Sequence, residues 1–305
     1  MSSWKASRVK NGILIALLGY ASFSWSDAAI KALGGQLSVF EIGFFSMFFT
    51  GVVIVLFAKP NGERWLEFWK MGRPWAVQAR AVSGIAAGIL GVFAFTTIPL
   101  AEVYALVFLS PLFVTLLSVF VLKEKVGPWR WFAIFAGFAG VLLVVRPGFR
   151  ELELGHLAAL FIAVLAAITV ILLRSLAASE KQTSMLGVLI AYGLLFNAIG
   201  IGATSFTLPS LPQLGILVMS GAFAAGGQIG LLLALRHAPA NRIAPTHYSQ
   251  IVWAAAIGAL FFQEYPDAIT IAGLAVIAGA GLLTLVREDR KLGEVRWNPF
   301  GRNRL

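Results

Sequence analysis

The chain is 305 residues long, 59% hydrophobic and only 12% charged, with a mean hydropathy of +0.84. A soluble domain carries about 25% charged residues, so 24 basic and 14 acidic side chains cannot coat one of this size. That excludes an ordinary soluble enzyme, a disordered chain and a nucleic-acid-binding domain, and leaves a polytopic membrane protein. The complete lack of cysteine also excludes disulfides, thiolate catalysis and Cys-ligated metals.

A transmembrane helix needs about 20 mostly apolar residues. In chain order, apolar runs bounded by charges, Pro or Gly predict ten spans, near 12–33, 39–58, 79–97, 100–122, 129–146, 155–176, 184–206, 213–235, 239–262 and 268–286. Lys5, Arg8 and Lys10 precede the first run as in a signal peptide. It lacks a convincing small-residue cleavage site, though, and is expected to be retained. The third/fourth and eighth/ninth junctions are tight and turn on Pro99 and Pro239. The runs are too long, and alternate too little, for a β-barrel. Trp65, Trp69 and Trp75, in the loop before the third span, read as membrane-interface anchors.

Orientation follows from Lys and Arg. With the N-terminus cytoplasmic, all 24 cations except Lys31, Arg146 and Arg150 fall in inside segments. The net charge of +10 then reports topology, with both ends inside, rather than a nucleic-acid partner.

The chain also repeats itself weakly. A shift of 140 residues carries Ala94 to Ala234, Pro99 to Pro239, Phe108 to Tyr248, Phe113 to Trp253 and Glu124 to Glu264. One inserted residue then aligns Gly140 with Gly281 and Arg146 with Arg287, and a shift of 143 carries Gly12 to Gly155 and Lys31 to Arg174. Five spans per repeat is an odd number, so the second repeat enters the membrane upside down, the architecture of many secondary transporters. The expected division is a first repeat over 1–150, a second, inverted repeat over 151–286 and a basic cytoplasmic tail over 287–305.

The stretch from Phe95 to Pro147 carries Pro99, Pro111, Glu124, Trp131 and Gly140; the second half repeats the pattern with Ala234, Leu235, Pro239, Ala240, Pro245, Glu264, Gly273 and Gly281. Both resemble the EamA-type proteins of the drug/metabolite transporter superfamily, and Trp25 and Lys31 are similar to a Trp and a Lys of that family's first helix. The resemblance implies an all-α membrane protein with ten helices in two inverted five-helix repeats around a central cavity. It also implies transport of small organic molecules, often amino acids or related metabolites, and often outward. Many relatives carry an Arg in the second helix; here that region reads FEIGFFSMFF, so no role for that Arg carries over.

Polar residues inside spans usually face a cavity or a partner helix. Asp27 and Lys31 share a face of the first helix and read either as a self-neutralising pair or as a gating or coupling site. Glu41 and Glu102, at helix ends, read as solvated. Ile243, His247, Gln250 and Ala254 fall on one face of a ninth helix, and His247 can donate, accept or take a proton near neutral pH. Gln228 follows Gly226 and Gly227 on the eighth span. Trp25, Tyr104, Phe108, Tyr248 and Trp253 supply aromatic surface that binds apolar groups or attracts ammonium, or that merely packs helices. The substrate-cavity candidates are therefore Trp25, Tyr104, Phe108, Gln228, His247, Tyr248, Gln250 and Trp253. Pro99, Pro111, Pro239 and Pro245 are hinge candidates, and Gly84–Gly88 and Gly137–Gly140 provide small-residue packing faces.

No GxSxG, HExxH, P-loop or Asp-rich metal motif is present. The expected protein is not an enzyme, holds no metal or cofactor and carries no ATPase domain. It works in the lipid bilayer on a small-molecule substrate, with a monomer as the working state. Export of amino acids across a bacterial inner membrane by alternating access leads. Uptake of a larger metabolite, such as a vitamin or nucleoside-like compound, is the alternative, and an intramembrane enzyme acting on lipid-soluble substrates is disfavoured.

Overall fold

In lipid, every backbone N–H and C=O must be satisfied within the protein, so long apolar runs become helices. The structure, a computed structural model, describes residues 2–57, 64–120, 127–148, 151–176, 180–204, 206–237 and 243–292. Side chains at 2–9, 118, 120, 130, 173, 174, 235, 236, 244, 245 and 284–292 are not part of that description. Pro239, Glu124 and the tail beyond 292 lie outside the described residues.

The described residues form eleven α-helical segments: α1 (Ser2–Ala32), α2 (Val39–Phe57), α3 (Pro74–Thr97), α4 (Leu100–Val107), α5 (Ser110–Phe120), α6 (Pro128–Val145), α7 (Leu154–Leu176), α8 (Gln182–Gly202), α9 (Leu211–His237), α10 (Ser249–Phe262) and α11 (Ala268–Leu292). Taking α4 with α5 as one span over Leu100–Leu117, seven are long and apolar enough to cross a membrane. Shorter apolar helices cover Trp131–Val145 and Ala268–Leu283. The tenth rod is α10 with the 3₁₀ turn Ala244–Tyr248 that leads into it. Pro74 and Pro128 open α3 and α6, where a missing N–H has no intrahelical partner to lose.

Helix pairings come in twos. The first span packs along the eighth (α1 with α9), and the third along the sixth (α3 with α7). The second meets the eighth and seventh, just as the seventh meets the third and second. The fourth meets the sixth as the ninth meets the first, while the fifth pairs with the tenth. A two-fold exchange of spans 1–5 with 6–10 maps each of these contacts onto another or onto itself. Side chains follow the same rule: Ser26 and Ser220 hydroxyls sit 3.3 Å apart in the α1–α9 seam, and Ser83 and Thr169 hydroxyls 2.9 Å apart in the α3–α7 seam. Thr169 lies 143 residues after Ser26, the offset that carries the first span onto the sixth.

The fourth and ninth spans both break. After α4, Phe108 and Leu109 form a turn before α5 restarts at Ser110, and in the ninth span the 3₁₀ turn ends at Tyr248. The shift of 140 carries Phe108 onto Tyr248, so the breaks occupy equivalent places. The expected single face through Ile243, His247, Gln250 and Ala254 is corrected accordingly: His247 sits in the 3₁₀ turn, and Gln250 in the first turn of α10. Pro111 falls in the first turn of α5, not in a helix interior, so it marks a restart rather than a kink. Pro99 caps α4 with extended backbone, and Pro245 stands at the start of the 3₁₀ turn.

Helices α6 and α11 approach closely through glycine. A Cβ on Gly140 would lie 2.8 Å from the Gly273 carbonyl oxygen, and one on Gly273 2.7 Å from that of Gly140. Gly19 on α1 faces Gly227 and Gly230 on α9 in the same small-residue manner. Gly88 has open space around it, so the Gly84–Gly88 spacing does not mark a comparable seam. Gly140→Leu should overpack the α6–α11 contact, where destabilisation of about 1–3 kcal/mol is usual. A thermal melt in detergent should show a lowered midpoint, whereas Gly88→Leu should leave it close to wild type.

Candidate functional site

Two groups of polar residues occupy the interior. One forms a layer at the Lys31 end of the bundle. Glu264 is delivered there by a left-handed Gln263 (φ 56) that ends α10, with the Glu264 N–H donating back to Gly258 O at 3.0 Å. One Glu264 oxygen pairs with Lys31 Nζ at 2.7 Å, and the other accepts the Leu100 N–H at 3.0 Å, at the start of α4. A carboxylate at a helix N-terminus is favoured by the helix dipole as well as by the hydrogen bond. Lys31 Nζ also donates to Ile98 O at 2.8 Å and Phe95 O at 3.3 Å. Three ammonium protons thus meet three acceptors, and a self-neutralising Asp27–Lys31 pair does not form.

Further links at this end also join the two halves of the chain. Glu102 on α4 accepts from His156 Nε2 on α7 at 2.8 Å. His156 Nδ1 accepts the Glu153 N–H at 3.0 Å, which places the ring proton on Nε2. Arg146, in the left-handed conformation after α6, pairs with Asp267 ahead of α11. Glu41 accepts from Ser38 N at 2.8 Å and from Thr207 N, while Ser38 Oγ accepts from Glu41 N, a capping box for α2. Glu41 is 1% exposed and Glu102 7%, so the expectation that both are solvated is corrected. Each accepts hydrogen bonds from protein donors, which makes its burial tolerable. A cavity of about 110 Å³ beside this layer is lined by Glu102, Glu264, Pro99, Ala254 and Gly258 among others.

The second group lies deeper. Asp27 accepts the Tyr104 hydroxyl proton, and Gln250 Nε2 donates to Tyr104 Oη at 3.2 Å. From Tyr104 an aromatic stack continues: Phe108 lies 6.4 Å away and stacks on Tyr248 at 4.9 Å and 21°. Phe108 also meets His247 at 4.8 Å, and His247 stacks on Tyr20 at 4.8 Å and 24°. The Phe108–Tyr248 pair joins two positions equivalent under the internal repeat. Tyr104, Phe108 and Gln250 are buried, while Tyr20, Asp27, His247 and Tyr248 keep accessible surface although protein surrounds them.

The structure therefore brings Asp27, Tyr104, Phe108, His247, Tyr248 and Gln250 together. Trp25, two residues before Asp27, lies about 160° round the helix from it and packs against the core cluster that contains Tyr104 and Phe108. It shares a stripe with Leu14 (58% exposed) and Leu18 (62%), and its ring meets Phe223 and Phe261. Trp253, 37% exposed, flanks exposed Val252. Gln228 is partly exposed on α9 and makes no hydrogen bond among the described residues. Tyr20 and His156 are additions to the sequence-derived candidates. Tyr20 was signalled by its spacing of seven from Asp27, whereas the Glu102–His156 pair crosses between repeats and carries no local signal. Trp69 and Trp75 are exposed, in keeping with interface anchors.

The fold is that of an all-helical, multi-pass membrane protein whose helix pairings follow an internal two-fold exchange. The EamA-like transporter family model matches residues 10–146. The chain is 30% identical over 89% of its length to the pseudopaline exporter CntI of Pseudomonas aeruginosa (strain UCBPP-PA14), covering 95% of that protein. It is 27% identical over 92% of its length to an S-adenosylmethionine uptake transporter of Rickettsia prowazekii, also covering 95%. A solved crystal structure superposes on 94% of this chain and 99% of its own with a TM-score of 0.64 at 17% identity, a likeness of fold. The chain belongs to the EamA-like transporter family of the drug/metabolite transporter superfamily and is a secondary transporter of small metabolites.

Removing one partner of the partly buried Lys31–Glu264 pair strands the other charge, which is destabilising, though less so than in a fully buried pair. Lys31→Met and Glu264→Leu should each lower the melting midpoint, and the double variant should lose much less than their sum; additive losses would show that the pair is not coupled. The Asp267 carboxyl, outside the spans, is held below the ordinary carboxylate range by Arg146 and then by Thr270. Its contribution is therefore full above the unfolded value of 3.8 and is lost as pH falls through the lower folded value. The difference in melting midpoint between wild type and Asp267→Asn should stay flat from neutral pH to about pH 5 and shrink only in stronger acid.

Proposed function

We propose that this chain exports amino acids or amino-acid-derived metabolites across a bacterial inner membrane by alternating access. Both termini are cytoplasmic in this reading, and the Lys31 end faces outward. The repeats 1–150 and 151–286 rock about the Phe108–Tyr248 contact, with Pro99, Pro111 and the 3₁₀ turn at Pro245 as the places where backbone geometry changes. The observation that carries the reading is the Asp27–Tyr104–Gln250 group beside an aromatic stack, at the breaks of two repeat-related spans. Such a site offers polar and apolar contacts at once, as a zwitterion with a side chain requires. The polar layer at the Lys31 end is the outer gate, closed here by contacts that join the two repeats.

The relatives support transport of small metabolites but differ in direction. One is an exporter of pseudopaline and another takes up S-adenosylmethionine, and the second favours uptake of a larger metabolite as the alternative. Named relatives of both kinds are transporters, which fits a chain with no enzymatic role.

Proteoliposomes loaded with radiolabelled amino acids, pseudopaline and S-adenosylmethionine separate the readings. Export predicts faster loss of an amino-acid or pseudopaline label than from protein-free vesicles. The loss should be abolished in Tyr104→Phe/Gln250→Leu, which removes the hydrogen-bonding group. Movement of S-adenosylmethionine alone would favour the uptake alternative; no movement of any solute in the panel would reject both.

A further inference from the structure

We propose that Asp27 is the recognition site for a cationic group on the substrate, an ammonium or sulfonium, whose attached ring or apolar body lies along the Phe108, His247 and Tyr20 rings. This deepens the carrier reading above and rests on it.

The interior carboxylates differ in their partners: Glu41, Glu102 and Glu264 are each held across the two halves of the chain by an amide, an imidazole N–H or an ammonium. Glu41 is held by backbone amides of Ser38 and Thr207. Glu102 pairs with His156, and Glu264 pairs with Lys31 and the Leu100 N–H. Asp27 has the Tyr104 hydroxyl and no basic partner among the described residues. The cation nearest in sequence, Lys31, is one helical turn away on the same face, but its three protons are spent on Glu264, Ile98 O and Phe95 O. A lone carboxylate surrounded by protein is expensive, so it holds either a proton or a positive ligand.

The surroundings favour the ligand. Tyr104 uses its hydroxyl proton on Asp27 and itself receives one from Gln250, so the carboxylate is oriented rather than neutralised. Asp27 keeps accessible surface in the same interior where Tyr20, His247 and Tyr248 do. Aromatic faces attract cations and stack on planar groups. Tyr20 lies two turns from Asp27 on α1, about 10 Å along the helix axis, a span suited to a cationic head and a ring joined by a short linker.

The test uses the full chain in lipid nanodiscs and three probes of one shape: phenethyltrimethylammonium, its neutral isostere 3,3-dimethylbutylbenzene, and anionic 4-phenylbutyrate. Binding is read by calorimetry. The proposal predicts that the cation binds about tenfold or more tighter than the neutral probe, and the anion more weakly than either. Asp27→Asn should erase the preference for the cation while leaving the neutral probe within about twofold of its wild-type affinity. Equal binding of cation and neutral probe by the wild type, or tighter binding of the anion, would overturn the proposal and assign Asp27 a proton. So would a cation preference that survives in Asp27→Asn. The wild-type comparison decides the matter even where the variant does not fold. Efflux plays no part in this readout: charge discrimination without efflux rejects the export reading alone, and efflux without discrimination rejects this one alone.

Discussion

The Lys31–Glu264 ion pair ties together segments of both repeats. One Glu264 oxygen takes the Lys31 ammonium from α1, the other takes the first amide of α4, and its backbone is folded onto the end of α10 by a left-handed Gln263. An isolated carboxylate in the membrane interior would be neutralised or expelled. Here a charge-assisted hydrogen bond to a helix N-terminus and an ion pair hold it, and Lys31 in turn ties the α3–α4 corner through two carbonyls. Three helices that come from both repeats therefore end at one point. Because Lys31 is consumed there, Asp27 one turn below is left without a cation. In the proposed carrier, closure of this end and the demand for a positive ligand at Asp27 both follow from that contact.

The interior is arranged around two interrupted spans. A continuous helix satisfies its own backbone and presents side chains in a fixed rotation. The breaks at Phe108–Leu109 and at the 3₁₀ turn ending on Tyr248 reset that rotation, so that aromatic residues from both repeats meet face to face. Irregular backbone at membrane depth is tolerated where protein surrounds it, and buried Tyr104, Phe108 and Gln250 lie at these breaks. Breaks at equivalent places in inverted repeats also give each half a deformable point next to the same site. A carrier that rocks one repeat against the other requires that arrangement.

Much of this was legible in the sequence, because membrane folding depends on simple rules of length and apolarity. The ten runs, the offset of 140 residues and the prolines at the junctions carry the architecture, and the broken spans still occupy the predicted intervals. Tyr104, Phe108, His247, Tyr248 and Gln250 were recognisable as polar or aromatic residues on interior spans. What one-dimensional reading misses is partnership. The i, i+4 spacing of Asp27 and Lys31 suggests a pair, yet Lys31 finds better acceptors on α3 and α10. Glu41 and Glu102 look solvated at helix ends, yet each meets a donor from the other half of the chain. Trp25 matches a family position, but its rotation round α1 places it with Leu14 and Leu18, away from Asp27. Each of these outcomes is fixed by tertiary packing between segments more than fifty residues apart.

The central claim is that the Lys31–Glu264 contact holds this end of the bundle shut. The chain has no native cysteine, so cysteines at exposed Gln36 and Tyr265, beside the ends of α1 and α10, can carry spin labels without interference. Distances between them in lipid nanodiscs test the claim directly. The account predicts a single short distance population in the otherwise wild-type protein, and a shift to longer, broader distances when Glu264→Gln is added. An unchanged distribution in that variant would contradict it.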